Sequence, residues 1–168
     1  ILKDGNTITD SSTNSNDFTL GAGTLTNTED NPSNVFATLN PLNVPTSNAP
    51  TFSNGNTQSV SSSSASGAFG GSSTIGVSSG KWYMEAKCLT SGHTQSAVGV
   101  TYNDAETART NNGATDSYEY SYRMNGNKGH DNTDSSYGNT YTTNDIIGVA
   151  LDLDNNKIYF SKNGTFQN

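Results

Sequence analysis

Two aspartates stand two residues apart in the run Leu151-Asp152-Leu153-Asp154-Asn155-Asn156, and they are the first place in this chain to look for chemistry. Paired carboxylates can share the acid and nucleophile or base roles of glycoside hydrolysis, and Asp-x-Asp-x-Asn imitates the first oxygens of a calcium loop. The surroundings support neither. A glycosidase pattern of the Glu-x-Asp-x-x-Glu kind needs flanking glutamates that are absent here, and no glutamate follows at the distance a calcium loop requires. His93 and His130 sit in polar, Gly-containing turns without a titratable partner at motif spacing, so a turn or surface role outweighs acid–base work. Cys88 is the single cysteine. It excludes an internal disulfide, no Cys/His spacing suggests zinc, and its place on an apolar strand face makes it a buried, inert thiol. Tyr118, Tyr120 and Tyr122 alternate along one face. They suit a stacking platform for a sugar or the inner face of a sheet; the inner face is favoured, which leaves Glu119 and Arg123 exposed on the other side. Asn163-Gly164-Thr165 has the form of a glycosylation sequon but coincides with a tight turn. These residues imply no catalytic group, no metal and no cofactor.

The elements that must position these groups are strands. Hydrophobic residues make up 30% of the 168 positions and charged residues 14%, and about half the chain is Ser, Thr, Asn and Gly. That mix favours turns and strand surfaces over helix interiors. Scarce charge and apolar residues gathered into period-two runs argue against disorder. The net charge of −7, with only eight Lys and Arg, excludes nonspecific nucleic-acid or anionic-membrane binding as a function class. No run of about twenty apolar residues exists to span a membrane.

The clearest stretch is Asp145 to Gly164. Ile147, Val149, Leu151 and Leu153 share a side, and Ile158 and Phe160 resume the spacing after Asn155-Asn156. This predicts a hairpin with a two-residue turn, followed by a further antiparallel strand after Asn163-Gly164. Upstream, Trp82, Met84, Ala86 and Cys88 alternate with Lys81, Tyr83, Glu85 and Lys87, and the first set is expected to face the core. Ala97 to Tyr102 and Tyr118 to Met124 predict two more strands, the latter ending at an Asn125-Gly126 turn. Phe36 to Thr57 holds three of the four prolines and reads as an extended segment with a turn at Asn54-Gly55. Ser59 to Gly71, Asn103 to Asp116 and Asn127 to Asn144 read as loops. The sum is an all-β, two-sheet antiparallel sandwich.

Gly80-Lys81-Trp82-Tyr83-Met84-Glu85, Ala97-Val98-Gly99-Val100, Ile146-Ile147-Gly148-Val149-Ala150-Leu151-Asp152 and Ile158-Tyr159-Phe160-Ser161-Lys162-Asn163-Gly164 together resemble, in order and spacing, the SPRY (B30.2-like) family. The resemblance covers about residues 35–168. It implies a bent, concanavalin-like sandwich that binds partners through loops and has no catalytic machinery. A SPRY domain normally continues past the Asn-Gly turn into closing strands, so the resemblance also implies that the sandwich is truncated here, that its closing strand lies in further residues, or that a neighbouring chain supplies it. Asp10 to Thr19 followed by Phe36 to Leu42 is similar to the junction between a lectin-like jelly roll and a SPRY-like module in tailed-bacteriophage structural proteins.

The expectation is therefore residues 1–34 as an extended segment or the tail of an upstream lectin-like domain, and residues 35–168 as the sandwich, in a piece of a longer chain. The expected role is a non-catalytic interaction module of a phage tail or fibre protein, located in the virion. The alternatives are a purely structural joining or decoration piece and, least favoured, a glycan-degrading enzyme. Expected partners are other virion chains and a host-surface glycan or protein receptor, with no nucleic acid and no membrane insertion; homo-oligomerisation is left open. Loop candidates for binding are Asn111, Asn112, Tyr118, Arg123, His130, Tyr137 and Tyr141.

Overall fold

A computed structural model of the chain describes residues 10, 12–17, 19, 21–22, 36–44, 49–61, 70–92, 94, 96–102, 118–131 and 133–167. Among these residues every regular element is a strand: β1 (Thr51–Ser53), β2 (Gln58–Val60), β3 (Lys81–Lys87), β4 (Ala97–Thr101), β5 (Glu119–Arg123), β6 (Asn127–His130), β7 (Thr133–Ser136), β8 (Ile146–Asp152), β9 (Lys157–Lys162) and β10 (Thr165–Phe166). None of the described residues forms a helix long and apolar enough to cross a membrane. One four-stranded sheet has the order β10-β9-β8-β3, the other β4-β5-β6-β7, and β1 pairs with β2 alone. All pairings within these sheets are antiparallel. The fold is an all-β, two-sheet antiparallel sandwich.

Register decides which side chains meet. Met84 lies opposite Val149 and Ala86 opposite Ile147, while Val149 lies opposite Phe160 and Leu151 opposite Ile158. Paired residues of an antiparallel ladder share a face, so these form one apolar surface. Its centre is sealed by Tyr122 of β5, fully buried, whose ring lies 5.7 Å from Phe160 across the sandwich and 5.5 Å from both Tyr137 and Tyr141. Val98, Val100 and Cys88 pack against this cluster from its margin.

Three expectations are corrected. Trp82 and Met84 do not lie in the core: they remain 51% and 39% exposed. The sheet order puts β3 at an edge, and the facing rings close over β9 instead; Trp82 meets the chain through an Nε1–H donated to the Ser79 carbonyl at 2.8 Å. The stretch from Asn127 contains two strands, β6 and β7, joined by a turn in which Asp131 takes φ 50°. These strands are held by backbone pairing to β5 and to each other, and their side chains lack the apolar alternation that reveals a strand in sequence. The β8–β9 turn has four residues between Asp152 and Lys157, because the Asp152 carboxylate accepts both the backbone and side-chain N–H of Asn155 and widens it; only Asn156, at φ 52°, is left-handed there. The second turn has the expected form, with Asn163 and Gly164 at φ 49° and 79°, and β10 returns against β9.

Asp145 closes the β8–β9 end of the sheet. Its carboxylate accepts from the Asn163 side chain at 2.7 Å and from the Thr142 backbone N–H at 2.8 Å, and lies 3.2 Å from the Lys162 ammonium. The Asn163 hydrogen bond, followed by that from Thr142, holds the Asp145 carboxyl below its ordinary value. A carboxyl depressed in the folded state stabilises fully above the unfolded value and loses that contribution as pH falls through the folded one. Asp145→Asn should therefore lower stability at neutral pH and flatten the loss of stability below about pH 4, where ordinary aspartates protonate; urea midpoints measured against pH check this. Packing at Gly99 is equally direct. A Cβ there would sit 2.7 Å from the Ser121 Cα and closer still to the Tyr120 carbonyl. Gly99→Ala should cost about 1–3 kcal/mol, the range for overpacking, read as a lower urea midpoint with an unchanged m-value.

Candidate functional site

Past Tyr122 the two sheets part. On β5 the next residue of the inner face, Tyr120, is 40% exposed, and its ring stacks on His130 of β6 with centroids 3.9 Å apart and planes 15° from parallel. His130 Nδ1 lies 2.9 Å from the Glu119 carbonyl. The tautomer that donates there leaves Nε2 as an acceptor. Lys128 holds its ammonium 5.6 Å from the centre of the Tyr137 ring, a cation–π distance. Ile158 and Phe160 of β9 supply the apolar wall opposite. Together they line a cleft of about 490 Å³, within the size range of small-ligand sites. Its walls combine aromatic and aliphatic surface with one ammonium, one imidazole and the Asp131 carboxylate.

The local sequence explains the arrangement. Gly126 takes φ 88°, and a Cβ on it would lie 2.5 Å from the Gly138 carbonyl, so the β5–β6 turn requires glycine there. That turn sets Lys128 opposite Tyr122, and counting outward brings His130 beside Tyr120.

The candidate residues separate accordingly. His130 and Tyr137 share the cleft. Tyr118 lies one step further along the same face as Tyr120, edge-on to Tyr102 at 5.3 Å. Arg123 points to the opposite face and is buried, not exposed as expected, with Nη1 3.4 Å from Asp134. Tyr141 is buried in the core, where its hydroxyl donates to the carbonyls of Ser96 and Tyr122 at 3.0 and 3.3 Å; burial pushes that hydroxyl well above its ordinary pKa. Asn111, Asn112 and His93 lie outside the described residues. Sequence reasoning missed Lys128, Ile158 and Phe160 as partners of the His130 site. The signal was present in the Asn125-Gly126 turn, from which the pairing across β5 and β6 can be counted.

The residues that first suggested chemistry are structural. Asp152 pairs with Lys81 at 3.1 Å and caps the turn through Asn155; the Asn155 side-chain hydrogen bond, with help from Lys81, lowers its pKa. Asp154 accepts the Gly80 backbone N–H at 2.9 Å. Neither lines the cleft. Among the described residues no three His, Cys, Asp or Glu side chains are grouped to hold a metal ion.

A family model described as the SPRY domain matches residues 81–168, a span holding β3 to β10. The chain belongs to the SPRY family. SPRY domains are protein-interaction domains, generally without catalysis. Curated relatives of this SPRY chain include the ATP-dependent RNA helicase DDX1 of Xenopus laevis, 37% identical over 92 residues, 55% of this chain and 12% of the relative. A probable ATP-dependent RNA helicase ddx1 of Dictyostelium discoideum is 32% identical over 91 residues, 54% of this chain and 11% of the relative. The match thus spans about an eighth of those proteins or less. These eukaryotic relatives overturn the phage reading: a tail or fibre role, glycan recognition on a host, and placement in a virion are all withdrawn. The SPRY assignment behind that reading stands.

Because Tyr141 supports two carbonyls from inside the core, Tyr141→Phe should reduce unfolding free energy by about 0.5–1.5 kcal/mol, the usual net value of a hydrogen bond. Chemical denaturation of the two proteins checks it.

Proposed function

We propose that this SPRY chain is a non-catalytic protein-docking module whose inter-sheet cleft seats an apolar or aromatic side chain of a partner. The observation that carries the reading is the Tyr120–His130 stack, left accessible at the cleft mouth beside an apolar wall. A buried aromatic pair would be core; an exposed one backed by Ile158 and Phe160 offers the kind of pocket that anchor residues fill at protein interfaces. Lys128 and the His130 ring add polar groups at the edge of the cleft, which fix the orientation of the inserted group. Asp152 and Asp154, the paired carboxylates of the sequence, are engaged in a turn, a backbone contact and an ion pair away from the cleft. The helicase activity named in the relatives is not carried over, because the match covers an eighth of their length or less.

Peptides selected from a randomised display library on the intact chain test the reading. Binders with a central aromatic or large aliphatic residue should emerge, and Tyr120→Ala should weaken them about ten-fold or more, as loss of an interface anchor does, with little change in melting temperature. A selection whose binders are indifferent to Tyr120→Ala and to His130→Ala would refute the cleft as the docking seat.

A further inference from the structure

The outer face of the β10-β9-β8-β3 sheet, turned away from the core, carries a second surface. Register sorts it into four rows. Lys81, Asp152 and Lys157 form the first row, and Tyr83, Ala150 and Tyr159 the second. Glu85, Gly148, Ser161 and Phe166 form the third, with Lys87 opposite Ile146 in the fourth. Tyr83, Tyr159 and Phe166 are 55%, 42% and 60% exposed. Gly148 makes their grouping possible. A Cβ there would collide with the Tyr83 hydroxyl and the Ser161 Oγ, so the missing side chain lets the Tyr83 ring lie across β8 toward β9. Phe166 stands edge-on to Tyr159, with centroids 6.5 Å apart. The three rings thus border one apolar floor.

Charge distribution says what such a floor would hold. The chain has a net charge of −7 and only eight Lys and Arg, yet this face carries three lysines against two carboxylates, Glu85 and Asp152. Asp152 is paired with Lys81 and Asn155, while Glu85 accepts the Tyr83 hydroxyl at 2.9 Å and keeps its charge, so the remaining two lysines face one carboxylate. Lys87 and Lys157 are in no ion pair among the described residues. They stand in the outermost rows, so they bracket the aromatic rows over about 20 Å, three two-residue steps of a strand.

We propose that this face docks an acidic peptide segment of a partner protein, with an apolar or aromatic side chain seated among Tyr83, Tyr159 and Phe166 and carboxylates at Lys87 and Lys157. The surface is separate from the cleft, and this proposal does not depend on the cleft reading. Exposed rings on a sheet also suit stacked bases. A polyanion, however, would meet the repulsion of the whole acidic chain, whereas one or two carboxylates meet mainly the local lysines.

An array of octapeptides with a central Phe, Trp or Leu flanked by Asp and Glu, by Ser or by Lys, with an oligouridylate beside them, tests this by fluorescence anisotropy on the intact chain. The acidic series should bind most tightly and weaken as salt rises. Tyr159→Ala and, separately, Lys157→Glu should each reduce that affinity about ten-fold or more. Circular dichroism melts are expected to show both variants folded, and Lys157→Glu, a change at an exposed position, keeps the test open should Tyr159→Ala unfold. Equal binding of the acidic and Lys-flanked peptides overturns the proposal. So does indifference to Lys157→Glu, and so does tighter binding of the oligouridylate than of any peptide.

Discussion

The sandwich depends on the contact of one ring, Tyr122, with the sheet it faces. With hydrophobic residues at 30% of the chain, few side chains are available to hold two sheets together, and burial at about 25 cal/mol per Å² makes each large one count. Tyr122 is fully buried and meets Phe160 from β9, Tyr137 from the segment after β7 and Tyr141 from the approach to β8. Its hydroxyl is not stranded by this burial, because it donates to the Asn139 carbonyl. Aromatic contacts between elements far apart in sequence thus do the work that a larger aliphatic core does elsewhere. Where that ring cluster ends, the sheets part and the cleft begins, so core and site are consecutive stretches of one inner face.

A core this small leaves the ends of the strands to polar groups. Asn54, Asn56, Asp131, Asn144, Asn156 and Asn163 all take positive φ, the conformation that Asn and Asp tolerate best among residues with side chains. The abundance of Asn that looked like a loop composition is therefore spent in part on turns of fixed shape. Asp145 shows the same economy: one carboxylate joins the Asn163 turn, the Thr142 backbone and the Lys162 ammonium. In such a chain acidic residues hold geometry that apolar contacts are too few to hold.

The strands with alternating apolar residues, β3, β4, β5, β8 and β9, were legible in the sequence because burial of one face imposes period two. β6 and β7 were not, since Asn127 to Ser136 has no apolar alternation and is held by backbone pairing with polar and ring contacts such as Arg123–Asp134 and Tyr120–His130. The face of β3 was legible but its burial was not. Alternation reports which side chains share a side, and whether the opposite sheet reaches that far depends on strand order, which places β3 at the edge. Of the site, His130 and Tyr137 were visible as polar aromatics in a supposed loop, whereas their convergence with Phe160 required the packing of one sheet on the other. The resemblance carried by the Gly-Lys-Trp-Tyr and Asn-Gly blocks gave the family, and the source inferred from the preceding segment did not survive comparison with relatives.

The groups that first suggested catalysis and the groups that now suggest binding differ in one physical respect. Asp152 is engaged by Asn155 and Lys81, and Asp154 by the Gly80 N–H, so a substrate that used them would compete with native bonds that shape the hairpin. Tyr120, Tyr159 and Phe166 are in the opposite condition: their rings have neighbours on one side and water on the other. Removing the remaining apolar surface from water is favourable without breaking anything already made. Asp145, Asp152 and Asp154 are committed to architecture while these rings stay half covered, and at the two proposed docking surfaces contact area would supply the affinity and the scarce lysines the selectivity.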